Sequence, residues 1–299
     1  MEMTEFAGWP NCVRLSNPSI DLVATTDVGP RIIRIGFVGE QNLFTVFEDS
    51  AGQTGGDEWH SYGGHRLWQA PEAWPATYTP ENDPIAHTWD GTSLTLNTLD
   101  RVNAVEKSMR LTLAASEPSV EVVHRLVNRA HEAVELAPWA LSVMAPGGRA
   151  VFPQEDYRPH PEWLDPARPI VLWRFTDMSD PRWTWGRRYI QLRQDPNATT
   201  KQKAGFLNTK GWAAYLLGGD VFIKRFDHEA GASYPDFGCN TETYADAAML
   251  EVETLGPLVR LLPGEHVDHV ERWSLHKATI GEDETEIDEK LLPVIPPAG

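Results

Sequence analysis

Apolar and polar positions alternate along most of this chain. Ile20, Leu22 and Ala24 alternate with Asp21 and Thr25, and Leu94 and Leu96 alternate with Thr95 and Asn97. Val105, Met109, Leu111 and Leu113 are interleaved with Glu106, Ser108, Arg110 and Thr112, while Val120, Val122, His124 and Leu126 share one face. A period of two places successive side chains on opposite faces of a strand. Segments 31–38, 135–145, 212–217, 221–226, 249–255 and 267–276 continue the pattern, with Gly29-Pro30, Asp90-Gly91, Gly147-Gly148, Gly218-Gly219-Asp220 and Pro263-Gly264 as turns between them. The best helix is 284–292, where Ile287 and Leu291 stand four apart and Pro293 stops the run. Strands without intervening helices imply antiparallel sheets, and a chain this long needs two of them stacked, or a barrel. The expected class is all-β, as one unit over 1–299.

Two segments break the pattern. Residues 48–59 are acidic and glycine-rich. Residues 152–188 carry six prolines together with Trp163, Trp173, Trp183 and Trp185. Four indoles argue against disorder, so this excursion is expected to form an ordered flap over one sheet.

Composition narrows the function. The 299 residues are 41% hydrophobic, enough for a large core, and carry a net charge of −17. Nucleic acid is excluded as a partner, because binding phosphates needs a basic surface. No apolar run approaches a membrane span and residues 1–11 do not read as a signal peptide. With only Cys12 and Cys239 as thiols, a reduced cytoplasmic location is expected. Twelve Trp are the compositional oddity. They suit a large core, or a groove whose broad apolar faces meet the C–H faces of sugar rings.

Candidate chemistry gathers in three stretches. Tyr62-Gly63-Gly64-His65-Arg66-Leu67-Trp68 followed by Pro71-Glu72 sets an imidazole, a guanidinium, an indole and a carboxylate after a flexible turn. In 249–257, read as a strand, Glu251 and Glu253 share a face about 7 Å apart. In a cleft, like charges so close disfavour double ionisation, which makes one of them a candidate general base. In 234–242, Asp236, Asn240 and Glu242 lie in a Gly/Pro turn region, suited to sugar hydroxyls and equally to turn-making. His266 and His269, three apart on a strand, face opposite ways, so no metal site is expected there. No cysteine pair at metal spacing and no phosphate-cradling glycine loop is found, so neither metal nor cofactor is expected.

These features together resemble the galactose mutarotase-like, or aldose 1-epimerase-like, superfamily. The resemblance rests on the Gly-Gly-His loop, the late Leu250-Glu251-Val252-Glu253 strand, and Leu261-Leu262-Pro263-Gly264-Glu265 followed by the strand bearing Trp273. The stretches Gly64-His65-Arg66-Leu67-Trp68, Tyr234–Asn240 and Glu253-Thr254-Leu255-Gly256-Pro257 resemble, more closely, a bacterial branch of it. The resemblance implies a β-supersandwich of two large stacked antiparallel sheets that binds a sugar on a concave sheet. It implies Glu251 as the base at the anomeric hydroxyl and Glu253 at the usual Gln position. It places His65 and Arg66 at the early Gly-Gly loop, whose neighbours bind the sugar, with Arg31 reaching the same floor; either His65 supplies the proton to the ring oxygen from another direction, or the chemistry differs, or there is none. The family's Asn-His motif is missing here; Trp139 stands near where its acid belongs, and indole donates no proton at neutral pH.

Three functions follow as expectations. The first is an isomerase of the anomeric centre, with Glu251 and His65 catalytic. The second is a carbohydrate-binding protein that lost the acid, using Trp68, Trp139 and flap indoles as platforms and Arg66, Asp236, Asn240 and Glu242 as hydrogen-bond partners. The third is an oligosaccharide hydrolase or lyase. Glu72, Glu253 and Arg31 complete the candidate binding set. The partner is a small sugar or an oligosaccharide, with the protein a monomer or homodimer.

Overall fold

A computed structural model describes residues 1–297. Among these residues two antiparallel sheets stack face to face, one of eleven strands and one of ten. The first runs, edge to edge, Glu2–Phe6, Trp9–Ser16, Ile20–Thr25, Arg31–Phe37, His65–Ala70, Val134–Met144, Leu250–Leu255, Thr241–Ala245, Gln202–Phe206 and Ile170–Leu172, and Val259–Leu261 also pairs with Val134–Met144. The second runs Trp183–Trp185, Tyr189–Arg193, Arg149–Pro153, Trp212–Leu217, Asp220–Phe226, His266–Lys277, Ser119–Asn128, Val105–Leu113, Ser93–Asp100 and Ala86–Trp89. The expected all-β supersandwich is the fold found, and the alternating segments lie within its strands.

Alternation explains the packing. Leu22, Leu67, Met144 and Val252 of the first sheet meet Met109, Leu111, Val122, Phe222 and Leu275 of the second in one buried cluster. Each such side chain contributes roughly 1.5–3 kcal/mol by leaving water. The helix Glu284–Lys290 is capped by Asp283, whose side chain accepts from the amides of Thr285 and Glu286, and it buries Ile287 against Val151 and Ile223. No helix among the described residues is long and apolar enough to cross a membrane.

One expectation is corrected. The stretch after Gly63-Gly64, read as a loop, is the strand His65–Ala70 near the middle of the first sheet. Both glycines have left-handed backbone, at φ +80° and +70°, and a Cβ would sit 2.2 Å from the Thr45 carbonyl oxygen or 2.4 Å from that of Ile32. The chain needs glycine there to turn tightly into the sheet. The strand shows no apolar/polar alternation because both its faces are buried: His65 and Leu67 point between the sheets, Arg66 and Trp68 away from them.

The 152–188 excursion is ordered through three strand segments. Ile170–Leu172 joins the edge of the first sheet beside Gln202–Phe206, which brings the following Trp173 and Phe175 over that sheet's outer face.

Candidate functional site

The outer face of the first sheet is where the polar residues collect. Cross-strand register sets them in rows. Arg66, Leu141, Glu253, Glu242 and Gly205 form one row, Val143, Glu251, Tyr244 and Lys203 the next, and Trp68, Trp139 and Leu255 a third. A cleft of about 360 Å³ opens above them, lined by Arg66, Trp68, Trp139, Lys203, Tyr244 and Glu251, with Glu72, Tyr78, Trp59 and Trp173 among its walls. A separate cavity of about 480 Å³ is bounded wholly by residues of the 155–168 excursion and touches none of these groups.

The floor is a charge network under aromatic faces. Arg66 Nη2 lies 3.0 Å from Glu251 Oε1, and the guanidinium carbon sits 4.2 Å from the Trp68 ring centroid. Trp68 and Trp139 meet edge to face with centroids 5.6 Å apart. Trp139 Nε1 donates to Glu253 Oε2 at 2.8 Å. Lys203 Nζ lies 3.0 Å from Glu242 and 3.7 Å from Glu253, with the rings of Trp139 and Trp173 at 4.8 and 4.5 Å. Gly205 in the neighbouring strand gives this cluster room: a Cβ there would be 2.5 Å from Cys239 Sγ and 3.4 Å from Glu242 Cγ.

Burial controls the protonation here. It raises the Glu253 carboxyl to about 7, against the lowering pull of Lys203, and it raises Glu242 well above the carboxylate range. Burial works the other way on Lys203, but Glu253 and Glu242 outweigh it and hold the ammonium above its ordinary value.

Several buried polar atoms on this face have no hydrogen-bond partner in the protein. They are Arg66 Nε and Nη1, Trp68 Nε1, Trp59 Nε1, Glu253 Oε1 and Glu242 Oε1, together with Glu251 Oε1 and Glu242 Oε2, whose contacts with Arg66 and Lys203 are close but off the hydrogen-bonding axis. Each such group costs about 1–3 kcal/mol if left unmatched, so gathering both donors and acceptors in one cleft fits a polar ligand.

The candidate residues fall into three sets. Glu251, Arg66, Trp68, Glu72 and Trp139 line the cleft. Glu253 and Glu242 lie directly beneath it, fully buried. The rest are elsewhere. His65 shares its row with Ser142 and Val252, on the opposite face from Glu251, so the expected convergence of His65 and Glu251 is corrected: it is Arg66, one residue on, that meets Glu251. Arg31 stands in register beside Arg66, but it is buried, donates to the Gly63 carbonyl at 2.5 Å, pairs with Glu81 at 3.3 Å and is not among the residues lining the cleft. Asn240 spends its amide on the backbone of Asn208, at 2.7 and 3.0 Å, and holds a turn together. Asp236 sits in that turn with left-handed backbone, at φ 48°, and is not among the residues lining the cleft. Of the flap indoles only Trp173 lines the cleft.

Lys203, Tyr78, Trp59 and Tyr244 were not anticipated. Lys203 lies in Gln202–Phe206, a fully buried strand without alternation. Trp59 arrives from an irregular segment and Tyr78 from the single 3-10 turn Ala76–Tyr78, both too short of pattern for spacing to carry facing information.

Inside the sandwich, His65 belongs to a second polar network. His124 Nδ1 donates to the His269 carbonyl at 3.0 Å, so its Nε2 is the acceptor for His65 Nε2–H at 2.7 Å, and His65 Nδ1 accepts from Ser142 Oγ at 2.8 Å. Glu271 Oε2 is 4.0 Å from both rings. These three side chains are the one set among the described residues with metal-ligating atoms within 4.8 Å of one another. Their polar atoms already have partners: the histidines bond each other, and Glu271 accepts from Trp273 Nε1 at 2.7 Å and lies 3.0 Å from Lys224. Burial keeps both histidines below their ordinary pKa, so they are neutral at pH 7. This arrangement fits a self-contained hydrogen-bond network better than a cation site.

Neither a family model nor a curated protein matches this sequence. Solved structures do match the fold. A galactose mutarotase-like protein from Lactobacillus casei superposes with TM-score 0.58 at 9% identity, over 89% of this chain and 100% of that one. A putative aldose 1-epimerase from Escherichia coli K12 gives TM-score 0.53 at 16% identity, over 89% and 99%. A TPR-domain containing protein from Parabacteroides distasonis gives TM-score 0.58 at 12% identity; 90% of this chain aligns with 48% of that longer one. At these identities the likeness is one of fold alone: the two-sheet fold is similar to that of these galactose mutarotase-like structures.

Proposed function

We propose that the outer-face cleft holds a saccharide ring and that Glu251 acts on it as a general base, interconverting its anomers. The observation that carries this reading is the Arg66–Glu251 floor, where donors and acceptors lack protein partners, with the half-buried Trp173 beside it and only the edges of the buried Trp68 and Trp139 reaching the cleft. Sugars present both surfaces at once: hydroxyls in the ring plane and C–H groups on its faces. Glu251 takes the proton of the anomeric hydroxyl, the bond between the anomeric carbon and the ring oxygen breaks, and the ring oxygen gains a proton. Of the proton-bearing groups on the cleft wall, which also include Lys201 and Tyr244, we assign Lys203 and Tyr78 to that last step. Both are weak acids, because Lys203 is held charged by its carboxylates and burial pushes Tyr78 up to about 12. Turnover by this route is accordingly slow. The burial of His65 in the core favours a second reading, a sugar-binding protein without turnover.

Calorimetry tests the binding step. Glucose, galactose, mannose, xylose and fucose are titrated into the wild type and into Arg66→Met. At least one sugar is expected to bind the wild type, and the variant to bind it about tenfold or more weakly, the loss of charge-assisted hydrogen bonds. Equal affinity in the two proteins would remove Arg66 from the site.

A further inference from the structure

An exposed indole continues the cleft's aromatic lining outward. Tyr78 on the wall lies 5.4 Å from Trp68, centroid to centroid, and 5.1 Å from Trp74. Trp74 is 80% exposed, in the segment between the cleft residues Glu72 and Tyr78. Rings therefore follow one another from the floor to open solvent: Trp139, Trp68, Tyr78, Trp74, in steps of 5.6, 5.4 and 5.1 Å. Trp74 packs against Tyr78 and leaves most of its indole in water, contiguous with the aromatic lining of the cleft.

We infer that Trp74 is the platform of an outer subsite, and that the ligand is a glycan of two or more residues rather than a free monosaccharide. The inference rests on the saccharide reading of the cleft. A pyranose ring is about the size of an indole face, so one ring held in the cleft leaves Trp74 outside it uncovered, and a second or third residue of the same chain reaches it. A net charge of −17 disfavours the other polymer that stacks on aromatic ladders, a single-stranded nucleic acid. The stepwise tilt of the rings, 70° between Trp139 and Trp68, 66° between Trp68 and Tyr78 and 48° between Tyr78 and Trp74, suits a chain whose successive residues are rotated.

The test is chain-length dependence. Methyl glycosides of glucose, mannose and xylose are compared with the β-1,4- and α-1,4-linked tetrasaccharides of the same sugars, in the wild type and in Trp74→Ala. For one series the wild type is expected to bind the tetrasaccharide about tenfold or more tightly than the methyl glycoside, the gain of one further aromatic platform. In Trp74→Ala that ratio is expected to fall close to one. Tetrasaccharides that bind no tighter than the methyl glycosides, or a ratio unaffected by Trp74→Ala, would overturn the outer subsite while leaving the cleft reading intact. If no saccharide of any length binds, the cleft reading fails and this inference falls with it. Trp74 is exposed, so the variant is expected to keep the wild-type thermal midpoint.

Discussion

Anomer exchange measured by saturation-transfer NMR is expected to fall about 10²–10⁴-fold in Glu251→Gln, the usual contribution of a positioned general base. The residue is 6% exposed and its side chain reaches the cleft from within a sheet strand, so backbone pairing on both sides fixes its position. Gln keeps the shape and the acceptor oxygen toward Arg66 but cannot take a proton. Binding therefore changes less than exchange, and the effect appears in kcat rather than KM. Exchange in the variant at the wild-type rate would take Glu251 out of the mechanism and leave the sugar-binding reading. Exchange no faster than the uncatalysed rate in both proteins would end the isomerase reading altogether.

The second large effect is on stability and lies in the core. Lys224 and Glu271 are fully buried and 3.0 Å apart, with Lys224 also donating to the Val252 carbonyl at 3.1 Å. Burial alone would raise the Glu271 carboxyl, but Lys224 foremost, with a hydrogen bond from Thr254, outweighs it and holds it at about 2. Lys224→Met strands that carboxylate between the sheets, and Glu271→Leu strands the ammonium. Each is expected to cost about 3–5 kcal/mol in urea unfolding, whereas the double variant is expected to cost clearly less than the two together. Additive losses would mean that the two charges are not coupled.

Protonation of the same region sets the acid limit. Burial pushes His269 down to about 3 from 6.5, and lowers His65 and His124. A group whose folded pKa is depressed supplies stability that is full above 6.5 and is lost as pH falls toward the folded value. Glu253, raised to about 7, and Glu242 run the other way: between 4.5 and their folded values they take up protons only in the folded protein, and so gain stability as pH falls. With the half-buried His276, which burial also lowers, four histidines against two glutamates leave a net slope of at most ~2.7 kcal/mol per pH unit between 6.5 and 4.5. Below 4.5 the glutamates no longer compensate and Glu271 joins the losses, so the urea midpoint is expected to drop more steeply there. A uniform slope through pH 4.5 would contradict the opposed protonation of the two networks.

The fold was legible because most strands have one wet face, and a half-buried strand writes its alternation into the sequence, as 105–113 does. Central strands with two buried faces do not, and His65–Ala70 and Gln202–Phe206 were missed or misread for that reason. The same property misplaced His65. Facing flips with every residue, so a stretch not recognised as a strand gives no basis for choosing between His65 and Arg66. Glu251 and Glu253 were assigned a common face because their strand was recognised. Arg31, Asn240 and Asp236 had suitable chemistry, but their partners, Glu81, Asn208 and the turn geometry, are tertiary facts. Lys203 and Trp59 come to the cleft through long-range pairing and an irregular segment, and no local pattern marks either.

A crystal structure of the protein soaked with a saccharide that binds it in calorimetry would bear most directly on the central claim. The expected result is a sugar ring stacked against Trp68 or Trp139, with hydroxyls hydrogen-bonded to Arg66 and Glu251. A ring bound away from these residues, with the outer-face cleft holding none of it, would contradict the account.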